Sequence, residues 1–403
     1  MATELSKDAI RRYGELPVLR IVYEGEFKTS PSALANTTSL REGMMLSEVD
    51  PEAVDQALEA TGLYSEISLK YELMEGGVEL IIELKEKLTL FPIPVASYSD
   101  QTLTLGLMAL DSDFLGGMST VLAGGFWSGK GYSAALGFFD RRIGASEVGL
   151  SFFSTGGRVQ HKEDYPDGTR FGSYLEDTVT SDLGLSFFND HALRPFLHAK
   201  VQWSRLDPDD AEQLDMSVDT LYVEPSAGLV YDDHRAEGWF KSGFGAVLSY
   251  RLGLSAKGGF DFGFGGASAD YTIKLPGDHA LSLGGSAGYG NEPRFFDESL
   301  GGRGFRTLPY GRSFSTKYGA AYSNYEVPLV GTSWGTLTAC AFYEAGLYEV
   351  GPEGEEEVEG FHGPGAGFRL YLKNAAIPAF GADFAYDVPF RDLVISVTLG
   401  FAK

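Results

Sequence analysis

The residues most able to do chemistry are few and scattered. Ser286 stands in Gly284-Gly285-Ser286-Ala287-Gly288, the spacing of a nucleophile elbow. An elbow needs a strand, a sharp turn and a helix to expose its serine, yet an alternating pattern runs unbroken through this segment. Small residues on one face of a strand explain it better than catalysis. The six histidines, at 161, 191, 198, 234, 279 and 362, never stand two to one helical face as a zinc hydrolase requires. Cys340, the one cysteine, excludes an internal disulfide or a cysteine metal cluster and reads as a small filler of an interior face. Gly301, Gly302 and Gly304 could cradle a phosphate, but no Gly-Lys-Ser/Thr follows and no helix opens there. Asp232, Asp233, His234 and Arg235 read as a polar turn, and the acidic run Glu353 to Glu359 as a solvated loop more than a calcium site. One oppositely charged pair remains. Arg303 lies in Gly301-Gly302-Arg303-Gly304-Phe305, and Glu344 in Phe342-x-Glu344-x-Gly346. A loop so rich in glycine gains order if its guanidinium folds back onto a carboxylate where water is scarce and charge-assisted hydrogen bonds are screened little. The expected chemistry is tethering and binding, with no enzyme activity, cofactor or metal.

Those residues need a frame. The chain has 403 residues, enough for a small module and a large one. Lys and Arg number 32 against 56 Asp and Glu, and a net charge of -24 argues against nucleic acid, which an acidic surface repels. The 52 glycines, with 28 Phe and 21 Tyr and no collagen period, favour a sheet protein. No 18-residue strongly apolar stretch occurs, so transmembrane helices are excluded. Residues 1–15 are set apart as an N-terminal leader segment, without the basic start, apolar centre and cleavage site of a secretory signal.

Helical signals cluster in residues 16–89. Asp50-Pro51 is an N-cap and first-turn pair, Val54, Ala57 and Leu58 form a stripe, and Gly62 is placed to end the helix. A second helix is expected from about Ser32 to Thr37, and strands over Pro17 to Tyr23, Ile67 to Leu73 and Val78 to Leu84. The order strand, helix, helix, strand, strand makes one α+β module. From Leu90 onward the period is two. Leu393, Ile395, Val397, Leu399 and Phe401 alternate with small or polar residues, and LGFF (136–139), VGLSFF (148–153) and LGLSFF (183–188) recur as hairpins. Aromatic residues on one face and glycine, serine or paired charges on the other suit strands between lipid and a wet lumen. A mean hydropathy of -0.09 is compatible, since only half of each strand meets lipid. Sixteen strands fit residues 90–403, from about 91–98 to about 392–402, so the fold class is mainly β: a 16-stranded antiparallel transmembrane barrel behind one α+β domain. Short turns such as Asp111 to Gly117 and Pro276 to Asp278 share one rim with that domain, and the acidic segments Asp207 to Asp215 and Glu353 to Glu359 take the other.

The string Phe295 to Gly311, with Arg303-Gly304-Phe305 after a glycine pair, resembles the sixth extracellular loop of the BamA and TamA type of outer-membrane assembly barrels. In that family an aromatic-x-Asp-x-Gly motif faces the lumen two strands later, which Phe342, Glu344 and Gly346 match with Glu in place of Asp. Residues 16–89 resemble a single POTRA domain, with Gly62, Leu63 and Tyr64 where that family has Gly-Leu-aromatic. The resemblance implies a Gram-negative outer membrane with the POTRA-like domain in the periplasm. The implied partners are unfolded outer-membrane or secreted β-rich polypeptides, the bilayer with its lipopolysaccharide, and periplasmic accessory proteins. The implied function is assembly or translocation. A client strand adds to a POTRA strand edge and passes through a seam between the first and last barrel strands that opens sideways. Pro92 and Pro94 remove two donors from the first strand, and Gly400 beside Phe401 can kink the last, so both favour a weak seam. The alternatives are a barrel that anchors or exports a fused passenger, such as a patatin-like lipase domain, and a passive pore.

Overall fold

Ser6, Ser30 and Asp50 each start a helix by accepting backbone N–H groups of the first turn: Ser6 from Ala9, Ser30 from Ala33, and Asp50 from Glu52 and Ala53. The helices are α1 (Lys7–Tyr13), α2 (Pro31–Thr38) and α3 (Pro51–Glu59), with Gly62 after the last at a φ of 73°. They cover one face of a sheet made of β1 (Thr3–Glu4), β2 (Val18–Glu26), β3 (Tyr64–Met74) and β4 (Gly77–Glu86), in the order β1-β3-β4-β2 with β2 parallel to β4. Val18, Leu34, Leu46, Leu58, Leu80 and Ile82 form its solvent-free centre. The expected leader, 1–15, is instead part of this domain. β1 pairs with β3 through Thr3 opposite Tyr71, and Leu5 and Ala9 enter the core, because an otherwise open sheet edge and an unfilled corner are both satisfied by the same short segment.

This computed structural model describes the chain apart from residues 1–2, 60, 100–101, 130, 144–145, 165–169, 190, 209, 211–216, 238, 292–304, 309–314, 334, 351–355, 373–379 and 400–403. After β4 the chain runs directly into β5 (Leu90–Ser99) and β6 (Thr102–Phe114). β7 (Ser119–Ser128), β8 (Gly131–Asp140), β9 (Gly149–Asp164) and β10 (Arg170–Ser186) follow. Next come β11 (Leu193–Leu206), β12 (Asp219–Asp232), the short β13 (Arg235–Glu237) and β14 (Phe240–Lys257). β15 (Phe262–Leu275), β16 (His279–Gly290), β17 (Tyr318–Gly331) and β18 (Gly335–Val350) continue the wall. β19 (Glu357–Leu372), β20 (Phe380–Asp387) and β21 (Asp392–Leu399) complete it. All except β13 join neighbour to neighbour in a closed antiparallel barrel; β12 pairs directly with β14, which leaves sixteen wall strands.

The barrel is inverted relative to a water-soluble protein. Leu107, Trp127, Leu248, Tyr289 and Leu347 project outward and exposed, while Glu176, Glu224, Glu326, Glu344, Arg369 and Asp383 are buried inside. Ionisable groups inside and a greasy exterior are the signature of strands whose outer solvent is hydrocarbon. Several strands outrun the roughly 10 residues that a tilted membrane strand needs: β10 has 17 and β14 has 18. Their ends form ribbons beyond the bilayer. The same effect corrects the acidic loop expected over 353–359, since Glu357, Val358 and Glu359 already belong to β19, opposite Val350, Glu349 and Tyr348. Ser286 lies mid-strand in β16, between Ser268 and Ala320, with no turn or helix at the position.

The small domain is fastened to the β6–β7 turn. The Ser30 N–H donates to the Gly116 carbonyl at 2.8 Å, and the Lys28 ammonium meets Asp111 at 3.1 Å. The Tyr64 hydroxyl donates to Thr29 Oγ1 and the Thr29 hydroxyl to Asp113 Oδ2, both at 2.9 Å, while Asp113 Oδ1 accepts the Met118 N–H at 2.6 Å. Asp113 is wholly buried by these partners. Gly116 has a φ of 70°, and a Cβ there would stand 2.4 Å from the Lys28 carbonyl, so glycine permits the contact. This places the small domain on the rim of the Asp111–Gly117 turn, as expected from the alternation of short and long connections.

Candidate functional site

Two features of the barrel combine special geometry with residue types that the alternating pattern does not require. The first is an interior anchor. On β18, Phe342, Glu344 and Gly346 share the lumenal face, as their spacing predicts. Glu344 is 1% exposed and accepts three hydrogen bonds: from Arg306 Nε at 3.0 Å, and from the Thr307 N–H and hydroxyl at 3.1 Å each. Arg306 Nη1 also donates to Asn324 Oδ1 on β17 at 3.3 Å and lies 3.8 Å from Asp383 on β20, and the guanidinium carbon stands 3.4 Å above the centre of the Phe342 ring. A guanidinium held at once by carboxylate, amide and aromatic face is fixed in position and orientation. Beside it Phe305 packs on Phe361 at 5.4 Å between centroids, within a cluster that includes Leu308, Tyr318 and Tyr348. Gly346 makes room: a Cβ there would lie 2.6 Å from Phe361 and from Ala320. The long loop before β17 is thus tied into the lumen at Phe305–Leu308.

Sequence reasoning found Glu344, Phe342, Gly346 and Phe305, and expected Arg303 as the tethering cation. Arg303, Gly301, Gly302 and Gly304 lie outside the described residues. The cation seen on Glu344 is Arg306, three positions later. A loop has no period from which its arginines can be ranked as partners of Glu344.

Behind the anchor lies a second cluster that the sequence did not reveal. Arg369 on β19, 4% exposed, donates to Glu326 on β17 and to Asp383 on β20, both at 3.3 Å. Glu326 also accepts from the Thr338 hydroxyl and, at 3.0 Å, from the Tyr371 hydroxyl. Cys340 faces this cluster, 3.7 Å from Asp383 and buried, consistent with an interior filler. Asp383 touches both arginines, so β17, β18, β19, β20 and the loop anchor are joined by one buried charge network. Its signal in the sequence was parity: Asn324, Glu326, Cys340 and Glu344 occupy alternate positions on adjacent strands, but the pairing register was needed to align them.

The second feature is the seam. β20 pairs with β21 from Phe380 opposite Leu399 to Asp387 opposite Asp392, and β5 pairs with β6 from Leu90 opposite Asp111 to Ser99 opposite Thr102. Between β21 and β5 the described residues make one register pair, Ile395 opposite Tyr98. Pro92 and Pro94 lie in β5, where each removes a donor from the ladder. Gly400 and Phe401 lie outside the described residues. Among the described residues the seam is the shortest ladder between neighbouring wall strands. In hydrocarbon, unpaired amide groups have no water to turn to.

The structure resembles solved outer barrels over almost its whole length. BamA from Haemophilus ducreyi lacking POTRA domains 1–3 matches with a TM-score of 0.63 at 16% identity, covering 96% of this chain and 84% of that one. CdiB from Escherichia coli matches with a TM-score of 0.67 at 12% identity, covering 99% and 80%. CdiB from Acinetobacter baumannii matches with a TM-score of 0.63 at 13% identity, covering 99% and 77%. No protein-family model matches the sequence, and no curated protein does. The fold is the one shared by BamA and CdiB: a sixteen-stranded transmembrane barrel with a small α+β domain before it.

Proposed function

We propose that this protein works in a Gram-negative outer membrane, with the small domain in the periplasm, where it inserts or exports β-rich polypeptides through a barrel that opens at the β5–β21 seam, with no chemical step and no cofactor. The observation that carries this reading is that, among the described residues, β21 and β5 share one register pair, Ile395 with Tyr98, where the neighbouring strands share several. Each hydrogen bond made inside hydrocarbon is worth several times its net value in water. A short seam therefore opens at small cost and leaves two edges that gain strongly when a client strand pairs with them.

The small domain supports delivery. In the order β1-β3-β4-β2, β2 has β4 on one side; its other edge is met at Val18 by Gly43 and Met44 and at Ile21 by the Glu42 side chain, and the stretch after Ile21 pairs with no other strand among the described residues. An extended polypeptide can add there through main-chain hydrogen bonds with little demand on its sequence. β2 ends at Glu26, two residues before the Lys28–Ser30 contact with the β6–β7 turn, so a strand on that edge is led to the barrel rim near the first strands of the wall. Lipid and lipopolysaccharide surround the barrel in this reading, and periplasmic accessory proteins would meet the exposed faces of the small domain.

The test is a reversible lock. Tyr98→Cys with Ile395→Cys, in a Cys340→Ser background, places two thiols across the seam at its paired position. Oxidation should stop client insertion in reconstituted vesicles, and reduction of the same sample should restore it. Undiminished insertion by the oxidised protein would overturn a lateral route. Ion flux that ignores the lock, with no client crosslinked to β5 or β21, would identify a passive pore instead, and a passenger domain encoded with the barrel would identify an anchor or exporter.

A further inference from the structure

The β12–β14 connection does not behave as the other turns on its rim. β12 pairs with β14 as far as Asp232 opposite Gly245, and β14 pairs with β15 from Gly243 opposite Thr272. Before Gly243 the strand leaves both wall neighbours. Residues 235–237 and 240–242 pair as a separate two-stranded ribbon, Arg235 opposite Ser242 and Glu237 opposite Phe240. The departure is built in. Gly243 has a φ of 136°, and a Cβ there would stand 2.8 Å from the His234 Cα, so only glycine bends the strand here without strain. The base of the ribbon is pinned: His234 lies between Asp232 at 2.9 Å and Asp270 at 3.1 Å, and the Phe244 N–H donates to Asp233 at 2.7 Å; nearer the tip, Lys274 meets Glu237 at 2.9 Å.

The tip of the ribbon points into the barrel. The Trp239 ring stands 5.1 Å from the ring of Tyr371, a lumenal residue of β19 five wall strands away from β14, and 4.7 Å from Phe240, itself 9% exposed. Tyr371 is held in turn by Glu326 of the interior charge network. An ordinary rim turn would end in water at the wall and reach no residue of the far side.

We infer that the 235–242 ribbon is a strap that closes the lumen on the small-domain side, latched by Trp239 against Tyr371 and hinged at Gly243. The strap makes the lumen a closed compartment at rest, so water and solutes do not pass from the small-domain side into the polar interior. It is independent of whether the seam opens, because it concerns the lumen alone. The latch is the aromatic contact together with the part-exposed Glu237–Lys274 pair, and with the hinge and the His234 base outside it, it can be released without unfolding the wall.

Two measurements on the full chain in detergent and lipid test it. Trp239→Ala should raise single-channel conductance in planar bilayers several-fold over the parent protein, and should speed the labelling of native Cys340 by a small water-soluble thiosulfonate, since Cys340 lies on the lumenal face beyond Tyr371. Trp239→Phe, which retains an aromatic latch, should stay near the parent in both. If Trp239→Ala leaves either conductance or Cys340 labelling at the parent level, the strap is not the closure. Should that variant fail to fold, Trp239→Cys with Tyr371→Cys in a Cys340→Ser background decides the matter on conductance, because a short bis-maleimide is added after folding. Bridging must lower conductance relative to the same protein unbridged, and equal values overturn the inference.

Discussion

The wall formed by β9–β12 and the wall formed by β17–β21 use the same alternating code but hold themselves together differently. β9 and β10 are paired from Asp164 opposite Arg170 to Gly149 opposite Ser186, and β10 and β11 from Glu176 opposite Leu206 to Ser186 opposite Phe196. There the backbone ladder provides the cohesion. Toward the seam the strands shorten to eight residues in β20 and in β21, and the ladder ends in one pair with β5. On that side the buried network of Arg306, Glu326, Glu344, Arg369 and Asp383 crosses from strand to strand. β17, β18 and β19 keep long ladders of their own, and the side chains add a second tie that reaches β20. A network of this kind holds β17–β20 together independently of the short β21–β5 contact.

The comparison is broken most strongly by removing the anchor. Glu344→Ala removes the acceptor of Arg306 Nε and of the Thr307 N–H and hydroxyl, while Asn324 and Asp383 still face Arg306, a loss of at most about 3–5 kcal/mol for a broken buried pair. The expected result is protease cleavage of the 292–317 loop in a barrel that still migrates as folded, and an intact loop would mean that the aromatic cluster around Phe305 suffices. The opposite wall has its own test. Leu183→Arg places a charge on the lipid face of β10, where Leu183 is 52% exposed. It should cost about 2–4 kcal/mol near the bilayer midplane in a reversible urea titration, with little effect on the seam.

Asp383→Asn sharpens the comparison. It removes the charge shared by both arginines, about 1.5–3 kcal/mol for hydrogen bonds to charged groups. Hydrogen exchange should quicken in β20 and β21 and remain slow in β9–β12; equal change in both walls would show that the network does not act locally. Thr29→Val takes one hydrogen bond from buried Asp113 and should cost about 1–3 kcal/mol at the junction. It is read as faster proteolysis between the small domain and the barrel.

The smallest effect concerns Glu86, at the end of β4, whose carboxyl is held above its ordinary value by burial, only partly offset by the Lys28 N–H that donates to it. The folded value exceeds the unfolded one. Its contribution to stability is therefore fully present below the unfolded value and is lost as pH rises through the folded value. Melting of the small domain should thus weaken slightly from acidic toward neutral pH, and Glu86→Gln should flatten that slope.

Much of this molecule could be read before its structure. The helix start at Asp50, a helix near Ser32 to Thr37, the stop at Gly62, the change to period two near Leu90 and the sixteen wall strands all follow from local rules, in which a residue's type acts on its own few neighbours. Glu344 was also legible, because a carboxylate between Phe342 and Gly346 on an interior face needs a partner. The first fifteen residues were misjudged as a leader because two strand residues and one short helix show no periodicity, and their fate depended on an edge offered by β3.

What the chain determines alone is therefore the pattern: which residues alternate, where helices begin, and which faces are greasy. Only the tertiary structure decided that Arg306 meets Glu344, that Asp383 serves two arginines, that β21 and β5 share one register pair among the described residues, and that Trp239 reaches Tyr371. Each of these depends on register and on closure of the barrel. A one-residue change of register would turn every side chain to the opposite face, and that choice is made by all neighbouring strands together.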